Sequence, residues 1–332
     1  MDDSQNPHSK VPNYMRDDKV TQECKNLISS LPLDKDFLGK NLCNYKGFWY
    51  YPNTFQAILD AKNHFQPRDT DIILSSFPKA GTTWLKALVF ALVERGKYRA
   101  NPEIHPLLSQ NPHSLIPFLE IDLYAESRIP DLAGLASPRL FGTHMPFLQL
   151  QETVKDTPCK VVYMCRNLKD VLVSGWHFRK RFLREMDGTT IESMAEAFVR
   201  GVNLFGPFWD HALSYWKESL DNPKLVHFMK YEDMINEPRV QIKRLAEFLD
   251  RPFTEEEEES GLVDEILKLC SLRNLSNLEV NKKGKAPCDI DFKNFFRKGE
   301  VGDWKNHLTP DMAKKIDDVM EEKLQGSGLK FP

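Results

Sequence analysis

Short apolar runs recur along this chain and alternate with longer segments in which apolar side chains have helical spacing. Runs of strand length lie at 72–74, 139–144, 160–165 and 225–229. The run at 160–165 is apolar on both faces, which is typical of a strand in a parallel sheet. Helices are predicted at 21–30, 55–65, 84–93, 170–178, 191–199, 208–220, 238–249 and 255–269, and Thr309 is the predicted N-cap of a last helix. The alternation predicts an α/β fold, a single domain with a central, mostly parallel sheet flanked by helices.

Other segments lack this clear periodicity. Residues 101–138 are rich in proline, and their apolar content indicates a pocket-forming loop. The aromatic stretch 48–51 is expected to be a strand or part of a pocket wall, and residues 281–305 form a basic loop. Residues 1–20 are polar and are expected to form a flexible leader, so that the predicted domain spans 21–332.

The segment 71–93 joins a predicted strand, a loop and a helix, and the loop carries Lys79, Gly81, Thr82 and Thr83. The first N–H groups of a helix have no partner within the helix and carry partial positive charge, so they stabilise an anion. Gly81 allows close approach of the backbone. The lysine adds a positive charge and the threonines add hydroxyl donors. This segment therefore predicts a cradle for a phosphate or sulfate ester, although the Lys precedes the Gly, unlike in a Walker motif.

Composition limits the classes of function. With 332 residues, of which 41% are hydrophobic, the chain can bury a large core. A net charge of −3 gives no overall attraction to nucleic acid. The first residues contain no secretory signal, and no apolar stretch has the ~18 residues that a membrane span needs. The six cysteines show no metal-binding spacing, so we expect reduced thiols, no metal and a cytoplasmic location.

Charged and aromatic side chains follow the ends of four predicted strands. They are Lys79, His144, Arg166 and Tyr231. Because ligands bind at the carboxyl ends of parallel strands, these residues are expected to share one crevice. Ser174 lies on the helix after Arg166 and could bind the same anion, and a further basic group is found at Arg297, Lys298 and Gly299. Two anion-binding clusters suit a ligand with phosphates at both ends.

Three motifs in this order resemble those of one family. The chain contains SFPKAGTTW, CRNLKDVLVSGWH and RKGEVGDWKNHLT, and the segment NPHSLIPFLE resembles the plant-type branch. Together they resemble the cytosolic sulfotransferases, which use 3′-phosphoadenosine 5′-phosphosulfate (PAPS). The resemblance covers nearly all of residues 45–330. It implies a P-loop-like sulfotransferase fold.

The resemblance also implies roles for single residues. Catalysis is assigned to His144 as general base and to Lys79, which stabilises the leaving phosphate. The 5′-phosphosulfate would be held by Lys79, Ala80, Gly81, Thr82 and Thr83. The 3′-phosphate would be held by Arg166, Ser174, Arg297, Lys298 and Gly299, and adenine by Trp84 and Tyr231. The implied acceptor is a small, largely apolar molecule with a hydroxyl group.

This chain departs from the family pattern at several positions. Gly142 stands where many members have a lysine, and Leu272 stands where a phenylalanine beside adenine is frequent. Ala80 replaces a common serine. The family's dimer motif is incomplete, because Pro310 and Lys314 replace its hydrophobic and acidic positions. We therefore expect a monomer.

Two other functions stay open at the level of the residues. A small-molecule kinase of the P-loop type would need a Walker lysine after the glycine and an acidic magnesium site, and a non-catalytic nucleotide-binding module would not need His144. The acceptor also stays open, since flavonols, steroid-like molecules and desulfo-glucosinolates all suit the predicted apolar pocket.

Overall fold

A parallel sheet of four strands forms the centre of the fold in a computed structural model, which describes residues 11–99, 101–125, 129–182, 189–288 and 290–331. Its strands are β4 (Ile72–Ser76), β5 (Leu140–Thr143), β6 (Lys160–Cys165) and β7 (Val226–Lys230). They lie in the order β5-β4-β6-β7, and each neighbouring pair is parallel. This confirms the predicted α/β class and its parallel sheet.

Helices flank this sheet, and six of those described begin after a residue whose side chain accepts a hydrogen bond from the first turn. In the first half of the chain they are α1 (Gln22–Ile28), α2 (Pro52–His64), α3 (Thr82–Tyr98), α4 (Pro112–Leu115), α5 (Phe147–Val154) and α6 (Leu168–Phe182). They continue with α7 (Ile191–Val199), α8 (Phe208–Asp221), α9 (Tyr231–Asn236), α10 (Pro238–Phe248), α11 (Glu255–Glu259), α12 (Leu262–Leu269), α13 (Leu272–Asn277), α14 (Glu279–Lys283) and α15 (Pro310–Leu324). At the last helix the Thr309 hydroxyl accepts a hydrogen bond from Met312 N–H, as its predicted capping role requires.

The single helix predicted at 255–269 is wrong. The chain forms α11 and α12 instead, because Gly261 adopts a φ of +79° between them. A positive φ is incompatible with a continuous right-handed helix, and glycine adopts it without steric cost.

A second, antiparallel sheet of three strands packs beside the main sheet and was not predicted as such. It consists of β1 (Leu33–Lys35), β2 (Asn41–Tyr45) and β3 (Phe48–Tyr50). β3 corresponds to the aromatic stretch for which a strand or a pocket wall was predicted. The Trp49 carbonyl accepts a hydrogen bond from Phe205 N–H, so this strand holds the loop that precedes α8.

The stretch before α1 also packs on the domain. Met15 is buried, and Thr54 of α2 donates a hydrogen bond of 2.6 Å to the Tyr14 carbonyl. Residues 1–10 of the predicted leader lie outside the described residues. Within the described part of the chain, no helix is long and apolar enough to cross a membrane.

A buried ion pair joins the amino ends of β4 and β5, at the edge of the sheet opposite to the carboxyl ends of the strands. Arg139 donates from Nε to Asp71 Oδ1 at 2.8 Å and from Nη2 to Asp71 Oδ2 at 2.5 Å. The two side chains are only 3% and 0% exposed. Each group thus depends on the other to compensate for its lost hydration.

We expect Arg139→Met to lower the free energy of unfolding by ~3–5 kcal/mol, because Asp71 would be left charged and unpaired in the interior. Urea unfolding followed by circular dichroism measures this change. Lys314→Met is the matched control, since its pair with Asp318 is mostly exposed and such pairs contribute little. Equal stability of the Arg139→Met variant and the control would contradict the expectation.

Candidate active site

The carboxyl ends of the parallel strands open into a cavity of about 450 Å³. Lys79, His144, Arg166 and Tyr231, which follow β4, β5, β6 and β7, all line it. The sequence-predicted residues Gly81, Thr82, Thr83, Trp84, Ser174, Arg297, Lys298 and Gly299 line it as well. The structure therefore brings all but one of the predicted site residues together.

The exception is Ala80, which is fully buried and does not line the cavity. Its N–H donates to the Phe77 carbonyl at 3.0 Å and closes the turn after β4. That backbone donor is therefore already used, and the prediction of Ala80 as a contact to the phosphosulfate is not supported by this geometry.

The backbone of the loop between β4 and α3 adopts positive φ angles at two positions, which most residues avoid. Lys79 has a φ of +71° and Gly81 a φ of +109°. A Cβ atom at position 81 would lie 2.8 Å from Tyr231 Cδ2, so the position has room for glycine alone. The first bond within the helix runs from Leu85 N–H to the Gly81 carbonyl, so the N–H groups of Thr82 and Thr83 are not used inside the helix. These N–H groups are the donors that the predicted anion cradle would use.

Lys79 projects from this loop into a positively charged and aromatic environment. Its Nζ lies 3.7 Å from the centroid of the Phe178 ring. Burial and, to a smaller extent, the guanidinium groups of Arg181, Arg297 and Arg166 together lower the pKa of Lys79 to about 7. So many cations in one half-buried place repel each other, and an anion bound among them would relieve the repulsion.

Acidic side chains and backbone carbonyls hold a second basic cluster, which consists of Arg166, Arg297 and Lys298 and also lines the cavity. Asp303 pairs with Arg297 and, at 2.7 Å, with Lys298. Asp170 accepts hydrogen bonds from the N–H groups of Gly302 and Trp304, and Arg166 donates at 2.6 Å to the Glu300 carbonyl. The loop formed by the motif RKGEVGDWKNHLT is thereby fixed against the start of α6.

Some polar atoms of residues that line the cavity are buried but have no partner among the residues that the structure describes. They are Nε of Arg166, Nε of Arg297 and Nε1 of Trp84. A buried donor without an acceptor costs free energy, so such atoms indicate a site built for a ligand. Guanidinium donors suit phosphate oxygens, and an indole N–H suits a ring nitrogen or a carbonyl group.

An aromatic wall connects the two clusters. The rings of Trp84 and Tyr231 meet edge to face with centroids 5.2 Å apart, and Arg166 lies 4.4 Å from the centroid of Tyr231. Tyr231 Oη donates to the Gly299 carbonyl at 2.7 Å. A Cβ atom at position 299 would lie 2.8 Å from Leu272 Cδ2, so Leu272 belongs to the same wall. A flat, nitrogen-rich ring fits such a surface.

His144 stands at the end of β5 and is held by several contacts. Its Nδ1 lies 2.7 Å from the Ser76 carbonyl, which can only accept, so Nδ1 carries the hydrogen and Nε2 has the lone pair. Burial lowers the pKa of His144 to about 3, which keeps the ring neutral. Its backbone N–H donates at 2.6 Å to Glu120, whose other oxygen accepts from Thr143. The ring is therefore neutral and held in one orientation, with the lone pair on Nε2.

The cavity beyond His144 is mostly apolar. Phe118 and Phe205 flank the imidazole, with ring centroids at 4.6 and 5.6 Å. Phe205 has a φ of +64°, which is strained for a bulky residue and is typical of functional loops. Asn203 lines the same region, is 3% exposed, and neither its Oδ1 nor its Nδ2 has a partner in the described part of the protein.

Several cavity residues were missed from sequence. Arg181 lies seven residues after Ser174 on α6, two helical turns away, so helical spacing could have placed it on the same face. Glu120 supports His144 through the His144 backbone N–H without lining the cavity, and its interruption of an apolar stretch could have marked it as a buried carboxylate. Asn203 gave no signal, because only the path of its loop brings it to the cavity. Among the described residues, no group of three or more His, Cys, Asp or Glu side chains has the arrangement of a metal site.

Comparison with known proteins agrees with the motifs. The sulfotransferase domain model matches residues 69–328. The chain is 63% identical over 322 residues to cytosolic sulfotransferase 11 of Arabidopsis thaliana, a match that covers 97% of this chain and 92% of that relative. A provisionally named steroid sulphotransferase from the same organism has a crystal structure with a TM-score of 0.76 and 44% identity, covering 97% of this chain and 100% of that one.

A mouse sulfotransferase crystallised with adenosine 3′,5′-bisphosphate (PAP) has a TM-score of 0.66 and 26% identity, covering 86% of this chain and 95% of that one. These matches extend over nearly the whole chain, and they leave no support for the kinase or for the non-catalytic module. The chain belongs to the sulfotransferase family and, within it, to the plant cytosolic sulfotransferases.

Proposed function

We propose that this sulfotransferase moves a sulfuryl group from PAPS to a hydroxyl group of a small, largely apolar acceptor. The observation that carries the proposal is the position of His144. The neutral imidazole lies in the same cavity as the loop of Lys79 and the cluster of Arg166 and Arg297. A base, an anion cradle at a helix N-terminus and a second phosphate site are the parts that such a transfer needs.

The residues present fit this donor. The unpartnered donors of Arg166 and Arg297 match a 3′-phosphate, and the wall of Trp84 and Tyr231 matches adenine. The loop at 79–83 matches the 5′ end, and the mouse relative with PAP supports this choice of nucleotide. When bound, the donor supplies an already activated sulfuryl group.

In this proposal the protein positions groups and stabilises charge. His144 Nε2 takes the proton from the acceptor hydroxyl, while Nδ1–H stays bonded to Ser76 and holds the ring in place. Lys79 and the N–H groups at the start of α3 stabilise the charge that develops on the leaving phosphate oxygen. The apolar rings around His144 exclude water from the reacting groups.

The shape and polarity of the other half of the cavity support the proposed acceptor. Phe118, Phe205 and their apolar neighbours suit a flat ring system, and Asn203 offers a donor and an acceptor for a second polar group. Flavonols, steroid-like alcohols and desulfo-glucosinolates remain candidates, and the name of the structural relative supports the second. The names of the relatives support a cytosolic location. We also propose that the protein is a monomer.

Incubation with sulfur-labelled PAPS and a panel of plant phenols, steroid alcohols and desulfo-glucosinolates tests the function. We expect labelled sulfate esters from at least one class. PAP binding is measured separately, without an acceptor. If PAP binds but no ester forms, the acceptor panel lacks the substrate, whereas the donor assignment stands. Absence of PAP binding would contradict the proposed donor.

We further expect the 3′-phosphate to contribute a large part of the affinity for the nucleotide. Each charge-assisted hydrogen bond contributes about 1.5–3 kcal/mol, so PAP should bind at least ~100-fold more tightly than adenosine 5′-phosphate. Calorimetry measures both dissociation constants. In the Arg297→Met variant the ratio should shrink, because the two nucleotides differ only in the phosphate that this residue is proposed to hold. Equal affinity of the wild type for the two nucleotides would dispose of the assignment.

A further inference from the structure

Lys86 is a buried charge that the proposed mechanism does not use. It lies on α3, three residues after Thr83, and is 0% exposed. Its Nζ donates at 2.7 Å to the Ile116 carbonyl, lies 3.3 Å from His113 Nδ1, and sits 3.2 Å from the centroid of the Phe118 ring. Burial of an ammonium group is costly, so this arrangement calls for a reason.

The space for Lys86 is created by Gly142 on β5. A Cβ atom at position 142 would lie 2.7 Å from Lys86 Cε and 2.8 Å from Lys86 Nζ. Any larger residue would therefore displace the ammonium group. Gly142 is two residues from His144, and the Phe118 ring contacts both Lys86 and His144, with its centroid 3.2 Å from Lys86 Nζ and 4.6 Å from the imidazole centroid.

The imidazole of His113 joins Lys86 to the anion loop. His113 Nδ1 faces Lys86, and His113 Nε2 lies 2.9 Å from Thr83 Oγ1. Burial lowers the pKa of Lys86 to about 7, and the nearby carboxylates of Asp122 and Glu120 oppose that effect. In its ammonium form the group has donors and no lone pair, so that Nδ1 accepts and Nε2 carries the hydrogen. Burial lowers the pKa of His113 well below its usual value, and Lys86 adds to this effect, so the ring is neutral. The Nε2–H group then donates to the Thr83 hydroxyl.

This hydrogen bond decides the direction in which Thr83 can donate. With one lone pair of Oγ1 taken by His113, the hydroxyl hydrogen must point to another acceptor. Thr83 lines the cavity in the first turn of α3, where an anion is the expected acceptor. We propose that Lys86 and His113 are positioning residues that turn the Thr83 hydroxyl hydrogen toward the 5′-phosphate group of the nucleotide. This role rests on the proposed function.

A double-mutant cycle on PAP affinity tests the relay. Lys86→Met and Thr83→Val should each weaken PAP binding about fivefold to tenfold, which corresponds to about one hydrogen bond. The double variant should bind no more weakly than Thr83→Val alone, because Lys86 is proposed to act only through Thr83. In a Thr83→Ser background, which keeps the hydroxyl, Lys86→Met should still weaken binding. Additive losses in the Thr83→Val background would overturn the proposal.

A second measurement uses the wild-type protein and does not depend on the nucleotide. Nitrogen-15 NMR of histidine-labelled wild-type protein, with His113→Gln for assignment, should show His113 as the Nε2–H tautomer. An Nδ1–H tautomer would overturn the relay even if the enzyme is active. Failure of the wild type to bind PAP would instead overturn the proposed donor, and with it the role of Thr83. The two failures are thus distinguishable.

Discussion

His144→Ala should lower the turnover of a phenolic acceptor by ~10²–10⁴-fold, because a positioned general base contributes about that factor. A phenol has a pKa of about 10 and loses its proton slowly near neutral pH without a base. Affinity for PAP should stay close to that of the wild type, since the proposed phosphate contacts are made by the loop at 79–83 and by the cluster of Arg166 and Arg297. Steady-state kinetics and calorimetry on one purified variant measure both quantities.

His227→Ala is the matched control for this experiment. The His227 ring stacks on Phe248, with centroids 5.1 Å apart, and does not line the cavity. Its replacement should change turnover by less than about threefold, under ~1 kcal/mol in the barrier. Retained turnover in His144→Ala would remove His144 as the base. Loss of both turnover and PAP affinity would show that His144 supports the structure of the cavity instead.

Lys79→Met should lower kcat/KM by ~10²–10³-fold, which is the usual loss when one preorganised donor to a developing negative charge is removed. Lys79→Arg keeps a positive charge and should retain more activity than Lys79→Met. A change in kcat/KM within about threefold of the wild type would show that Lys79 does not stabilise the transition state.

The pH dependence of PAP binding gives Lys79 a second test. In the protein without nucleotide, the pKa of Lys79 is lowered to about 7. A bound phosphate favours the ammonium form and therefore raises that pKa. Affinity for PAP should therefore fall as pH rises above about 7, because binding then requires uptake of a proton. The fall should be absent in Lys79→Arg, since arginine stays charged over this range. An identical pH profile in both proteins would contradict the assignment.

Local patterns in the sequence determined the secondary structure of the main sheet and of most helices in this protein. The strands β4–β7 and the capped helices follow from apolar periodicity and capping signals, both of which act over a few residues. The rule that parallel strands end at one edge placed Lys79, His144, Arg166 and Tyr231 in a common crevice. The three motifs indicated the family, and the family in turn indicated PAPS as the donor in the proposed function.

Only the tertiary structure decided how these groups work, because their partners come from distant parts of the chain. The tautomer of His144 depends on a carbonyl 68 residues away, and Arg166 is held by a carbonyl 134 residues away. The buried position of Lys86 requires a glycine on another strand, and the Ala80 N–H is consumed in its own turn. Periodicity reports which face of an element is buried. It does not report which atoms meet there, and that is what determines charge, tautomer and hydrogen-bond direction.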